Sequence, residues 1–388
     1  MRVIKKFLGK KRGRLVFLLS LLFSSLLISF QLKDKIEWKQ QVLVQDVRPF
    51  KDLGKITEVN GTVQRSSGLY GAQYGRLLAL SGGEWLAAYT VSRNNGYQQE
   101  PDGGLTLEVA KSIDHGKNWQ VISEIKDPGR DLDNAQMIEK SDGSLLLACR
   151  SVRWQESYIL PVYSSSDGGR TWSLLSEIDS HKGKPGALGN PDQGMYEPHM
   201  LFLNDGRLSV MYASEKYAKS SSPYSQVISQ KISDDGGRSW LEERKVVYDD
   251  ASRSSRPGMP VWTKMRNGSY LLVYEICGPQ KCNVFYKVSK DGVNWPNGFG
   301  NEIADQLGGP YVLSLHDGRL LVTSNSSKMS LSTDYGETWM GVEPAWAQTL
   351  WPSLYQFNAD EVVAVNSVAR SVGGHNIQLK FGKLTREK

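Results

Sequence analysis

Two glutamates occupy positions where a carboxylate needs a reason to be. Glu197 lies in Gly194-Met-Tyr-Glu-Pro-His199, where Pro198 disfavours helix for the residue before it and fixes the start of a strand. Glu275 ends the apolar stretch Tyr270-Leu-Leu-Val-Tyr-Glu275, a costly place for a charge without a partner or a use. If the chain brings the two side chains to one cleft, they can divide attack and proton transfer at an acetal carbon. The plainer account of Glu275 is a salt bridge to Arg256 or a solvated strand end. Which account holds depends on the elements that carry the two residues.

Those elements repeat. The pattern Ser-x-Asp-x-Gly-x-x-Trp occurs at Ser112–Trp119, Ser165–Trp172, Ser233–Trp240 and Ser332–Trp339, and one residue shorter at Ser289–Trp295. Its aspartates stand at 114, 167, 235, 291 and 334. Asp closes a tight turn through its side chain, Gly takes a positive φ, and Trp packs under the next strand. A second element runs out of phase with the first. Apolar alternation interrupted by a turn covers residues 76–89, 135–149, 200–212, 261–274, 311–323 and 354–365. Most of the turns are Asp-Gly or Asn-Gly, strong hairpin signals. Five of the six hairpins are followed by a third strand, the Ser-x-Asp turn and a fourth strand.

Six such units cannot each bury two faces alone, but arranged radially they bury one another. The expected fold is therefore all-β, a six-bladed β-propeller over residues 41–386. Residues 41–50 are expected to complete the last blade from the N-terminus and close the ring. In this geometry the residues just before each hairpin's first strand, or just after its second, surround one mouth. That mouth would collect Tyr74, Arg76, Arg93, Asp131, Asp133, Asn134, Arg150, Arg153, Tyr196, Glu197, His199, Glu215, Arg256, Glu275, Trp351 and Asn366. Carboxylates, arginines and aromatic rings at a concave mouth suit a sugar: acids for bond cleavage, arginine and asparagine for hydroxyls, rings for stacking.

The Ser-x-Asp-x-Gly-x-x-Trp element resembles the Asp-box of sialidase-like propellers, where it lies in peripheral turns away from the ligand face. Within that group, Arg130-Asp-Leu-Asp-Asn134, Tyr196-Glu-Pro198 with Asn204-Asp-Gly-Arg-Leu208, Arg256-Pro-Gly-Met-Pro260 and Val273-Tyr-Glu275 resemble glycoside hydrolase family 93. Gly309-Pro-Tyr311 and Leu350-Trp-Pro-Ser353 do so as well. The resemblance implies a six-bladed exo-α-1,5-L-arabinanase that releases arabinobiose with retention. It also implies Glu197 and Glu275 as the catalytic acids, with Glu197 the expected nucleophile and Glu275 the acid/base. Arg76, Asp133, Asn134, Arg150, Tyr196, Arg256 and Trp351 are the expected substrate-binding residues. The rival on the same fold is an exo-α-sialidase, in which Arg76, Arg150 and Arg256 would hold a carboxylate. Tyr74-Gly-Arg-Leu77 lacks the proline of the sialidase pattern, which counts against it. A third reading is a non-catalytic, carbohydrate-binding surface propeller.

Composition bounds the partners. The chain of 388 residues has a formal net charge of +6, but seven basic residues and no acid lie within the first fourteen, so the remainder sums to −1. That near-neutral remainder argues against nucleic acid as a ligand. The apolar run at 15–30, broken only by serines, follows the basic stretch. Residues 1–33 therefore read as a signal peptide or membrane anchor, and the propeller as an extracellular monomer. Five scattered histidines and three cysteines encode no zinc or iron site, so no metal or cofactor is expected. Cys277 and Cys282 either close a small loop or remain, like Cys149, unpaired.

Overall fold

In the computed structural model, residues 36–42, 71–92, 104–153, 156–183, 193–218, 225–249, 253–359, 361–369 and 375–384 are described. The expected signal or anchor segment and Arg93 lie outside them, as do residues 43–50 of the expected closing strand. The apolar alternations become antiparallel strands. Their turns are nearly identical: Gly83, Gly143, Gly206, Gly268 and Gly318 each donate an N–H back to the carbonyl three residues earlier, at 2.9–3.0 Å. All five glycines have φ between 79° and 98°, a conformation that costs other residues a Cβ clash.

The described strands form six four-stranded sheets. Strand β1 (Ile36–Val42) belongs to the last of them. Blade 1 comprises β2 (Ala72–Ala79), β3 (Trp85–Ser92), β4 (Leu105–Ser112) and β5 (Gln120–Ile125). Blade 2 has β6 (Asp131–Glu139), β7 (Leu145–Arg153), β8 (Ser157–Ser165) and β9 (Ser173–Lys182). Blade 3 has β10 (Met195–Phe202), β11 (Leu208–Ser214), β12 (Val227–Ser233) and β13 (Arg244–Val247). Blade 4 has β14 (Arg256–Lys264), β15 (Tyr270–Cys277), β16 (Asn283–Ser289) and β17 (Asn301–Leu307). Blade 5 has β18 (Tyr311–Ser314), β19 (Leu320–Thr323), β20 (Met329–Ser332) and β21 (Met340–Val342). Blade 6 has β22 (Ser353–Tyr355), β23 (Glu361–Ala369) and β24 (His375–Leu384), with β1 antiparallel to β24 from Ile36↔Leu384 to Val42↔Gln378.

The N-terminal segment thus closes the ring through Ile36–Val42, a strand that begins earlier than the expected residues 41–50. Only Gln41 and Val42 are shared. In that strand Ile36 and Trp38 alternate with charged neighbours. Side chains between neighbouring blades form the core. Leu86, Leu107, Val109, Leu145 and Leu147 pack between blades 1 and 2, and Met211, Ile228, Trp262, Tyr270 and Leu272 between blades 3 and 4.

The five Ser-x-Asp turns join third to fourth strands at the periphery. In blade 1, Ser112 Oγ accepts the Gly116 N–H at 2.8 Å and donates to Asp114 Oδ1 at 2.9 Å. The same pair recurs at Ser165, Ser233, Ser289 and Ser332. Some of these turns also clasp the preceding blade. Ser123 of β5 donates to Gly169 O at 2.6 Å, and Ser176 of β9 to Gly237 O at 2.5 Å. The indoles of Trp172 and Trp240 donate to the same two serines at 3.2 and 3.1 Å.

A second ring of irregular backbone surrounds the mouth. Tyr74, Asn134, Glu197, Met259, Gly309 and Trp351 have φ of 57°, 56°, 55°, 53°, 50° and 49°, one at the start of each innermost strand. In β2, β6, β10 and β14 each makes a β-bulge in the ladder. A bulge re-aims side chain and backbone locally.

Candidate functional site

The left-handed kink turns several N–H groups of this ring toward side chains of the preceding blade. Tyr74 N–H donates to Ser367 Oγ at 3.0 Å and Trp351 N–H to Asn325 Oδ1 at 2.7 Å. At the two candidate acids the acceptors are carboxylates. Met259 N–H donates to Glu197 Oε2 at 3.1 Å, and Gly309 N–H to Glu275 Oε2 at 2.7 Å.

Both glutamates reach Gly258. A methyl group on that glycine would lie 3.7 Å from Glu275 Oε1 and 4.0 Å from Glu197 Oε2. Both residues are half-buried. Burial and then the nearby Glu275 charge push Glu197 up to about 8, against the lowering effects of Arg150 and the Met259 N–H. Burial also raises Glu275, opposed by the Gly309 N–H and Arg256. Two such carboxyls titrate as a pair, and over the interval between their two steps they hold one proton.

The remaining expected site residues gather around this pair. Arg150 donates to Asp133 Oδ2 at 3.0 Å and lies 5.2 Å from the Tyr196 ring centre. Asp133 also accepts the Thr90 hydroxyl at 2.5 Å and the Asn134 N–H at 2.7 Å. Asn134 Oδ1 is buried and has no hydrogen-bond partner among the described residues. Tyr196 Oη donates to Glu215 Oε2 at 2.8 Å, and Glu215 is ion-paired with the half-exposed Arg256. Arg76 stacks 3.8 Å over the Tyr74 ring and donates to Trp351 O at 3.1 Å. The Trp351 ring centre lies 6.1 Å from that of Tyr74.

Other residues expected at the mouth make contacts within the fold. Asp131 accepts the N–H groups of Gly104 and Leu105 at 2.7 and 2.8 Å, and burial raises it to about 6. Asn366 holds the chain before Trp351 by accepting the Leu350 N–H at 2.8 Å. Arg153 pairs locally with Glu156 at 2.5 Å. His199, buried beside Arg76, is held neutral by desolvation, its acidity shifted to about 3.

Sequence reasoning missed the kink ring itself, Asn325 and the two backbone donors. A signal was present: the kinked residue precedes proline in Glu197-Pro198, Met259-Pro260, Gly309-Pro310 and Trp351-Pro352. Elsewhere, a cavity of about 330 Å³ lies between the outer parts of blades 2 and 3, lined by Lys140, Trp172 and Arg238 among others, away from the carboxylates. Among the described residues no group of three or more His, Cys, Asp or Glu is arranged to hold a metal ion.

Six sheets, peripheral Ser-x-Asp turns and a polar mouth define a six-bladed β-propeller. The particular likenesses fall on both branches considered from the sequence. The chain is similar to the family 93 α-L-arabinofuranosidase of Fusarium graminearum in complex with arabinobiose, at 21% identity and a TM-score of 0.69, over 80% of this chain and 93% of that one. It is similar to an α-L-arabinanase of Penicillium chrysogenum complexed with arabinobiose, at 22% identity and a TM-score of 0.68, over 80% and 93%. The NanB sialidase of Streptococcus pneumoniae matches at 11% identity and a TM-score of 0.55, over 81% of this chain and 69% of that one. No family model and no curated protein matches the chain. At these identities the likeness establishes the fold.

Proposed function

We propose that this chain is a retaining, exo-acting glycoside hydrolase of an extracellular polysaccharide with arabinanase-like specificity. The observation that carries the reading is the pair of half-buried glutamates whose carboxyls both reach within 4.0 Å of a methyl placed on Gly258, each fixed by a backbone N–H from the next blade. A pair holding one proton has what a double displacement needs. One carboxylate attacks the anomeric carbon and forms a glycosyl ester, while the other carboxyl gives its proton to the departing oxygen. That second group then takes a proton from water, whose oxygen attacks the anomeric carbon, breaks its bond to the ester oxygen and frees the first. Arg76, Asn134, Arg150, Arg256, Tyr196 and Trp351 supply hydroxyl contacts and stacking surfaces, and Asp133 orients Arg150. The α-L-arabinose specificity, exo action and retention rest on the family resemblance, and the fold likeness supports them. Export rests on the basic and apolar N-terminal segment.

Glu197 is the expected nucleophile and must be ionised to attack, although burial and the Glu275 charge raise its pKa. The assignment therefore requires the proton to pass to Glu275 when sugar binds. Azide rescue tests it: Glu197→Ala should yield the glycosyl azide of inverted configuration and Glu275→Ala the retained one. The opposite pattern reverses the roles.

One observation favours the sialidase reading, the hydrogen-bonded Tyr196–Glu215 pair, which resembles the Tyr/Glu nucleophile of that class. Against it, Arg150 and Arg256 already neutralise Asp133 and Glu215. The deciding experiment offers debranched arabinan and sialyllactose side by side. Arabinobiose release is expected, sialic acid release would establish the rival, and binding without product would leave a carbohydrate-binding propeller.

A further inference from the structure

Cys277 and Cys282 are disulfide-bonded, whereas Cys149 is free and buried. The bridge lies two residues beyond Glu275, at the rim of the mouth, and both its cysteines are half-buried. It closes a tight loop in which Lys281 and Cys282, neither of them glycine, stand consecutively at φ of 56° and 63°. Such a pair of left-handed residues persists only where something holds it. Cys282 N–H is tied to Ile276 O at 2.9 Å, and Cys282 O accepts the Gly308 N–H at 2.8 Å. The next residue, Gly309, makes the 2.7 Å hydrogen bond to Glu275 Oε2. From the disulfide a short path therefore runs through Cys282 O and the Gly308-Gly309 backbone to the carboxylate. Cys277 Sγ itself lies 3.6 Å from Glu275 Oε1, and as a half-cystine it has no proton to donate.

We infer that the Cys277–Cys282 disulfide is a redox-sensitive positioning element for Glu275, holding the strained loop that presents the Gly309 N–H to its carboxylate. The inference rests on the hydrolase reading for its catalytic consequence. Reduction by a phosphine is balanced as follows: the S–S bond breaks, the two sulfurs gain two electrons and two protons, and the phosphine takes its oxygen from water. The freed loop relaxes, Cys282 O no longer anchors Gly308, and Glu275 loses its backbone donor. The groups facing this carboxyl are Glu197 from β10, Arg256 from β14 and the Gly309 N–H before β18. Losing the N–H removes a group that favours the charged form, so the titration of Glu275 moves up.

The test uses the full chain with ¹³C-labelled glutamate, the Glu275 carboxyl signal being identified by its loss in Glu275→Gln. The C277A/C282A variant should show the Glu275 midpoint raised by roughly half a unit to one unit. Its kcat should fall by up to about a hundredfold at nearly unchanged KM, the amount one misplaced catalytic group can cost. Its melting temperature should fall little, because a disulfide closing so short a loop constrains the unfolded chain weakly. Phosphine-treated wild type should move the same way but less, since the new Cys277 thiol can donate to Glu275, and reoxidation should restore it. Circular dichroism of the reduced wild type establishes that the fold persists. An unmoved Glu275 midpoint in the variant overturns the inference, whether or not the chain hydrolyses a glycoside. Absence of any hydrolysis by the oxidised wild type would instead count against the hydrolase reading.

Discussion

Asp235, in the outer turn of blade 3, and Glu197, in the inner kink of the same blade, both accept backbone N–H groups, yet their acidities move in opposite directions. Asp235 accepts Arg238 N–H at 3.0 Å and Ser239 N–H at 2.9 Å together with the hydroxyls of Ser239 and Ser233, and these donors lower its pKa. It is fully exposed, so little desolvation opposes them. Glu197 receives one N–H, sits in a buried mouth facing a second carboxylate, and rises to about 8. The outer ring uses carboxylates to fasten turns. The inner ring holds them at a cost to the fold, which is how groups required for chemistry usually sit.

The largest expected effect separates the rings by activity. Glu197→Ala and Glu275→Ala should each lower kcat/KM by about a thousandfold or more, while circular dichroism and melting stay near wild type. Full activity in either variant would remove the pair from the mechanism. In the wild type, the alkaline limb of kcat/KM should fall near pH 8, where Glu197 loses its proton, and the acidic limb should lie above the ordinary glutamate value because Glu275 is raised.

The second test reads the cost of the inner ring as stability. A carboxyl whose folded pKa exceeds its unfolded value binds its proton more tightly when folded, so stability falls as pH rises from about 4.3 toward about 8. Glu197→Gln removes that penalty. It should gain about 1–3 kcal/mol at pH 7, less than full linkage because the mouth is partly open to solvent, and nothing below about pH 4. A gain that persists at pH 4 would mean that the amide packs better rather than that a charge was removed.

This contrast explains what could be read in advance. The outer ring was legible because its chemistry is local: Ser, Asp, Gly and Trp satisfy one another within eight residues, so the pattern survives in the chain as a motif. The hairpins were legible for the same reason, through Asp-Gly and Asn-Gly. The inner ring is assembled between blades, and its donors are backbone groups of Met259 and Gly309, which leave no residue type to recognise. Glu197 and Glu275 stood out only as carboxylates in unfavourable surroundings. The start of the closing strand at Ile36 was missed because an edge strand paired to a distant partner carries a weak pattern.

A smaller effect belongs to the outer ring alone. Ser233 is buried, accepts the Gly237 N–H at 2.8 Å and donates to Asp235 at 2.8 Å. Ser233→Ala leaves that buried N–H without its acceptor and should cost about 1–2 kcal/mol. Activity per folded molecule should not change. Loss of kcat in a variant whose fold is intact would show that the two rings are coupled, and the separation drawn between them would fail.

The smallest effect concerns charge in the outer turn. Because the folded pKa of Asp235 is depressed, its contribution is present above the unfolded value of about 4 and is lost as pH falls through the folded value. Asp235→Asn keeps an acceptor in place and removes the charge. The variant should melt below wild type at pH 7, and the gap should narrow steadily once pH drops under about 4, as wild-type Asp235 is itself neutralised. Glu197→Gln behaves in the opposite sense, differing from wild type at neutral pH by a gain rather than a loss. Thermal melts at pH 7, 5 and 3 on both variants therefore give two curves that approach wild type in acid from opposite sides. A constant gap for Asp235→Asn across that range would place its effect in hydrogen-bond geometry, and the turn's hold on blade 3 would then owe nothing to ionisation.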